Sequence, residues 1–279
     1  MFKVFCMDCI CFFHFNDTMV SKIVYMFNGL RNGVMIKCMN SKQKISCCKL
    51  GAITSILAGF FYLIIAVLMF KVPSSIITYE ASESYFRDFS NYSLIFINIK
   101  VMVIFASIAM IGVVCSFLAL CRPENVAIVL WASILAFLGY SFCIYQAIMD
   151  ISVIPELTKT FLIEPGVIQD VIVAFGVSNP KMFILTSGFS GIWFLVVSYL
   201  AISNKSIPKF LILLGFIWGF GNVLTAVGYA FSIISILYIV SMVTIVVAPI
   251  WGLSEGFYLL SLIKNLTEQS QKEDSVEVS

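Results

Sequence analysis

The sequence predicts an all-α, polytopic transmembrane helix bundle of about six spans, with both termini in the cytoplasm. Three observations point there. Hydrophobic residues make up 61% of the 279 and charged residues only 11%, against roughly 25% charged in a soluble domain. The charges gather in short stretches between apolar runs of the length, about twenty residues, that a helix needs to cross a bilayer. The basic residues fall mainly on one side of those runs, the side that faces the cytoplasm in membrane proteins.

The first apolar run is Leu50 to Phe70, between Lys49 and Lys71. It is too long for the core of a removed leader and reads as a retained anchor. The second spans Val101 to Leu120, with a possible earlier start at Leu94, and the third Val126 to Met149. Arg122, Pro123 and Glu124 between them predict a tight helical hairpin. The fourth runs from Met182 to Ile202. From Phe210 to Ile263 the only charged residue is Glu255, and that length suits two helices with a turn over Gly228 to Ser235.

With the N-terminus inside, twelve of the 17 basic residues are cytoplasmic. Lys71, Arg87, Lys100, Lys159 and Lys181 then lie outside. The external connections run from Val72 to about Asn98 and from Asp150 to Lys181. In the second, Val153, Ile154, Leu157, Phe161, Leu162, Val167 and Ile168 recur at near-helical spacing around Pro155 and Pro165, which predicts a short interfacial helix or cap. The tail, residues 265–279, is polar, lacks aromatics and predicts disorder.

Residues 1–49 form a cytoplasmic N-terminal segment ahead of the membrane domain, residues 50–264. Met1 to Cys38 carries apolar patches too short to span, and Met39 is the more natural start for a basic lead into the first helix. That segment holds the one metal-like pattern, Cys6, Cys9, Cys11 and His14, packed within nine residues. Structural zinc sites join separated pairs, so no metal site is assigned. Cys115 and Cys143 read as packing residues inside helices.

His14 is the only histidine. Serine–histidine hydrolysis, two-histidine metal sites and bis-histidine haem all need imidazoles that the spans lack. No phosphate-binding loop and no cofactor signature occurs, and a net charge of +2 implies no nucleic-acid partner. No catalytic residue is assigned. An enzyme acting on lipid through external acids such as Glu80 or Asp170 would lack a recognisable acid–base pair.

Glu255 is the singled-out residue, because an ionisable group at depth costs several kcal/mol unless paired, hydrated or neutral. Counting ten residues from Lys209 to Gly219 and nine from Glu255 to Lys264 sets Gly219 and Glu255 at one depth. Gly215, Gly219 and Gly221 permit close helix approach, Asn222 offers a hydrogen bond, and Pro249 removes a backbone donor one and a half turns before Glu255. One reading is an ion- or ligand-binding notch at Glu255 and Asn222 in a small-solute permease. The alternative is a non-catalytic accessory, sensor or assembly subunit, in which Glu255 ties two helices together. The partners expected are the lipid bilayer of the cell membrane and, for the accessory reading, another membrane protein or a second copy of the chain.

Several short segments resemble a family of small six-helix prokaryotic membrane proteins known only as domain-of-unknown-function family 4386. They are Leu50-Gly51-Ala52 with Ala58-Gly59-Phe60-Phe61-Tyr62-Leu63, then Ile207-Pro208-Lys209 leading to Leu214-Gly215, and Pro249, Glu255 and Leu259-Leu260 in the last helix. The resemblance covers Lys49 to Lys264. It implies an integral membrane protein with a glutamate in its closing helix, and no mechanism.

Overall fold

Six apolar segments that cannot satisfy their backbone groups from lipid must do so internally, and each forms a helix. The computed structural model describes residues 41–73, 76, 83–120, 125–163, 180–203, 207–231 and 233–277. Its helices are α1 (Ser41–Met69), α2 (Glu83–Leu120), α3 (Val126–Ile163), α4 (Pro180–Ile202), α5 (Lys209–Ala230) and α6 (Ile234–Glu277). All six contain stretches long and apolar enough to cross a membrane. No strand occurs among the described residues.

Each helix packs on its neighbours in sequence, and α6 returns to pack on α1, so the six form a closed ring. Neighbouring helices run antiparallel. On α1 and α6, Gly51 lies by Leu259 and Gly59 by Leu253; on α5 and α6, Gly221 lies by Thr244 and Gly228 by Leu237. The end where α1 begins is called proximal below, and the opposite end distal.

Only 28% to 39% of the residues in the apolar windows are buried within the protein. The remainder includes Phe60, Leu94, Trp131, Leu213 and Phe257, all more than 40% exposed, which is tolerable only against lipid. This is therefore a multi-pass membrane protein.

Most helix ends lie close to those expected from the sequence, but α1 begins at Ser41, nine residues before Leu50, and the distal ends of α2 and α3 lie well beyond the expected spans. Helix α2 begins at Glu83, well before Val101, and α3 continues through Pro155 to Ile163 instead of stopping at Met149. The expected cap over 153–162 is therefore a continuation of α3; Val167 and Ile168 lie outside the described residues. These extensions have a core of their own, in which Phe86 stacks on Phe161 at 4.5 Å and Tyr85, Phe89 and Ile154 are buried. Hydropathy detects what lipid covers, whereas a helix continues wherever side chains can pack, and that difference explains the missed turns. The same holds for α6. Residues 265–277, expected to be disordered, extend it in a stretch rich in the good helix formers Glu, Gln and Lys.

The ring closes at its tightest point between Gly59 and Gly252. A Cβ on Gly252 would lie 2.8 Å from the Gly59 Cα and 2.9 Å from its nitrogen, backbone atoms that cannot swing aside. A Cβ on Gly188 would meet only the Cβ of Ala226, at an ordinary 3.7 Å. Both substitutions to alanine gain the same helix propensity, so their difference isolates the steric term. Gly252→Ala is expected to be less stable than Gly188→Ala by about 1–3 kcal/mol in mixed-micelle unfolding; equal stabilities would show that α1 and α6 separate freely.

Candidate functional site

At the centre of the ring lies a cavity of about 260 Å³ to which all six helices contribute. Its lining follows helical spacing on each one: Ser107 with Val103 and Lys100 on α2, Tyr140 with Cys143 and Gln146 on α3, Thr186 with Ser190 on α4, and Trp218, Asn222, Thr225 and Tyr229 on α5. Helix α6 adds Ser241, Thr244, Ile245 and Ala248, and α1 adds Tyr62, Ile65 and Met69. A stripe of this kind, polar toward the axis and apolar toward lipid, is what a bundle enclosing a hydrophilic space requires.

The strongest electrostatic feature is an ion pair at the distal side of the cavity. Lys100 Nζ lies 2.6 Å from Asp150 Oδ2, and both side chains are buried, 9% and 3% exposed. Gln146 Nε2 donates to Asp150 Oδ1 at 2.6 Å. The Lys100 ammonium also sits 5.2 Å from the Phe96 ring centroid and 5.7 Å from that of Phe183, a distance at which ring quadrupoles attract cations. Both carboxylate oxygens are thus engaged, the condition under which a buried pair can offset its desolvation.

The proximal floor is aromatic. Trp218 lines the cavity and packs on Phe194 at 4.1 Å, edge-on to Tyr62 at 5.3 Å and against Trp251 at 5.5 Å. Phe117 joins Trp193 and Trp251 behind them. These rings fill the bundle between the cavity and its proximal end. Three of the four tryptophans are therefore packing residues, while Trp131 is 53% exposed.

The residues singled out from the sequence are not gathered in one place. Asn222 lines the cavity; Glu255 does not. Glu255 is buried on α6, eleven positions past Thr244, roughly 16 Å farther along the helix, whereas Asn222 stays near the Thr244 level. The turns on either side of Glu255 pack on α1, with Gly256 against Ile56 and the Ala52 carbonyl. The depth count that set Glu255 beside Gly219 fails because α5 begins at Lys209 opposite the Glu255 level of α6, not opposite Lys264.

The glycines of α5 do allow close approach, chiefly toward α4. Gly219 packs on Leu195 and Gly215 on Ser198, while Gly221 faces Thr244 on α6. Pro249 is buried within α6, which runs on through it. Having no N–H, it leaves the carbonyl of Ile245, a cavity-lining residue, without its helical donor. Cys143 also lines the cavity and Cys115 is exposed. Cys6, Cys9, Cys11 and His14 lie outside the described residues.

The sequence reading missed the ion pair. By hydropathy alone Lys100 falls outside the second span and Asp150 just beyond the third, which leaves Glu255 as the acid that stands out at depth. Both belong to spanning helices. A signal was available: Lys100 is flanked by apolar residues on both sides, and Gln146 and Asp150 share one helical face at i,i+4.

No curated protein and no solved structure matches this chain. A family model, the domain of unknown function DUF4386, matches residues 57–262, a segment that begins within α1, ends within α6 and includes every lining residue of the cavity. With most of its length covered by that match, the chain belongs to this family, whose function is not known.

Proposed function

We propose that the protein is a permease for a small polar solute, with the central cavity as its binding site. One observation carries the reading: a buried lysine–aspartate pair borders a cavity lined by hydroxyl- or amide-bearing side chains from all six helices. Packing alone has no use for such a stripe, since each buried polar group needs a partner and apolar side chains would fill the space at less cost. Binding sites enclosed near the membrane midplane among helices are the common plan of solute carriers. The aromatic floor supports the same reading, as a barrier between the solute and the proximal side.

In this proposal both termini lie in the cytoplasm of a cell-membrane protein, as the distribution of basic residues argues, so the aromatic floor separates the cavity from the cytoplasm. The carboxylate beside the solute site is Asp150, which holds the Lys100 ammonium at the edge of the cavity without lining it. Glu255 acts as a tie between α6 and its neighbours, a role supported by its burial beside the α1 contact and its absence from the cavity lining.

Three outcomes are expected. Lys100→Met alone strands a buried carboxylate and lowers stability by about 3–5 kcal/mol, whereas Lys100→Met combined with Asp150→Leu regains most of that loss. Native mass spectrometry of the double variant, released gently from its own membrane, then shows no small molecule where the wild type carries one; a ligand retained at wild-type occupancy would remove the pair from the site. Glu255→Gln is expected to keep both the bound molecule and the uptake of solute into vesicles. Loss of uptake in a stable Glu255→Gln protein would return that carboxyl to the transport path.

A further inference from the structure

We infer that the cavity takes a small uncharged solute bearing several hydroxyl groups, a polyol, in preference to an ion or an amino acid. The inference rests on the permease reading and supplies the chemistry of its solute.

Charge comes first. Among the described residues Lys100 is the only charged one lining the cavity, and Asp150 neutralises it at 2.6 Å. The site is electrically balanced before anything enters. An anion would have to compete with Asp150 for the ammonium, and a cation would meet Lys100 with no carboxylate in the wall to hold it. Either adds an uncompensated charge at a depth where one costs several kcal/mol.

The hydrogen-bonding polarity of the wall is more specific. Ser190 donates its hydroxyl proton to the Thr186 carbonyl at 2.8 Å, Thr225 to that of Gly221 at 3.0 Å, and Thr244 to that of Val240 at 2.9 Å. Their protons are committed to their own helices, so from α4, α5 and α6 they present oxygen lone pairs. These acceptors call for a solute that donates. Beneath the wall, the Tyr140 and Thr186 hydroxyls are shielded from the open space and lack a hydrogen-bond partner among the described residues, so each gains a bond by turning toward a solute. Each can both donate and accept.

A hydroxyl group is the ligand function that meets both demands at once, because it donates to the committed oxygens and accepts from Tyr140 and Thr186. An ammonium only donates, a carboxylate only accepts, and an amino acid carries both as full charges. The rings of Tyr62 and Trp218 provide an apolar surface for the C–H groups of such a molecule. At about 260 Å³ the space is just under the roughly 300–1,000 Å³ of sites for drug-sized ligands, which suits a short polyol and is too small for a disaccharide.

The test is equilibrium dialysis of the full chain in lipid nanodiscs against radiolabelled xylitol, with glycine, ethylammonium and acetate as competing classes. Saturable xylitol binding is expected, with the charged probes at least about tenfold weaker. Thr186→Val, which removes a hydroxyl without changing shape, and Tyr140→Phe are each expected to weaken xylitol about tenfold while remaining monodisperse with an unchanged melting temperature. Stronger binding of glycine or either ion than of xylitol would overturn the solute class and leave the cavity reading intact. Binding of none of the probes to the wild type would overturn both, and unaltered xylitol affinity in the two folded variants would show that the polyol sits elsewhere.

Discussion

A lysine carried into the interior of a membrane bundle has few places to put its charge. Lipid offers no counter-ion, and an uncompensated ammonium at this depth costs several kcal/mol. Asp150 answers it from α3, Gln146 completes the carboxylate one turn away, and the rings of Phe96 and Phe183 flank the ammonium. Much else follows from this contact. It holds α2 to α3 in a definite antiparallel register, continued by the stacking of Phe86 on Phe161, and it keeps a polar surface open toward the axis of the ring.

The ring has to close around that surface without filling it. Closure comes from glycine. Gly59 and Gly252 bring α1 and α6 nearly backbone to backbone, and Gly191 and Gly219 do the same for α4 and α5. In a bilayer such contacts substitute for a hydrophobic driving force, because lipid tails are as apolar as the side chains they replace. The proximal half is packed with aromatic rings and the middle is left polar, so one bundle contains a dense plug and a cavity at different depths. That division explains why Glu255 and Asn222, candidates for a shared notch, serve different surroundings.

The family assignment and the architecture agree, since the matched segment spans the ring from α1 to α6. The family brings no activity with it. The permease reading and its polyol solute therefore rest on the chemistry of the cavity wall: a balanced ion pair, hydroxyls whose protons are already committed, and two buried groups that still have bonds to make.

The sequence by itself determined the class, the number of spans and most proximal helix ends. These follow from local composition, because a run of about twenty apolar residues has only one stable form in lipid. It also marked the α5 glycines as positions of close approach and Asn222 as a polar group worth following. The partners of those residues were beyond it. Lys100 and Asp150 stand fifty positions apart, each near the edge of an apolar run, and each alone reads as an interfacial charge. Their union depends on the lengths of α2 and α3, which packing in the distal extensions sets and hydropathy does not register. Which residues share a cavity is likewise a matter of depth and rotation among six helices. Tertiary structure alone decided it, because helical periodicity defines the face of each helix but not how far one helix slides along the next.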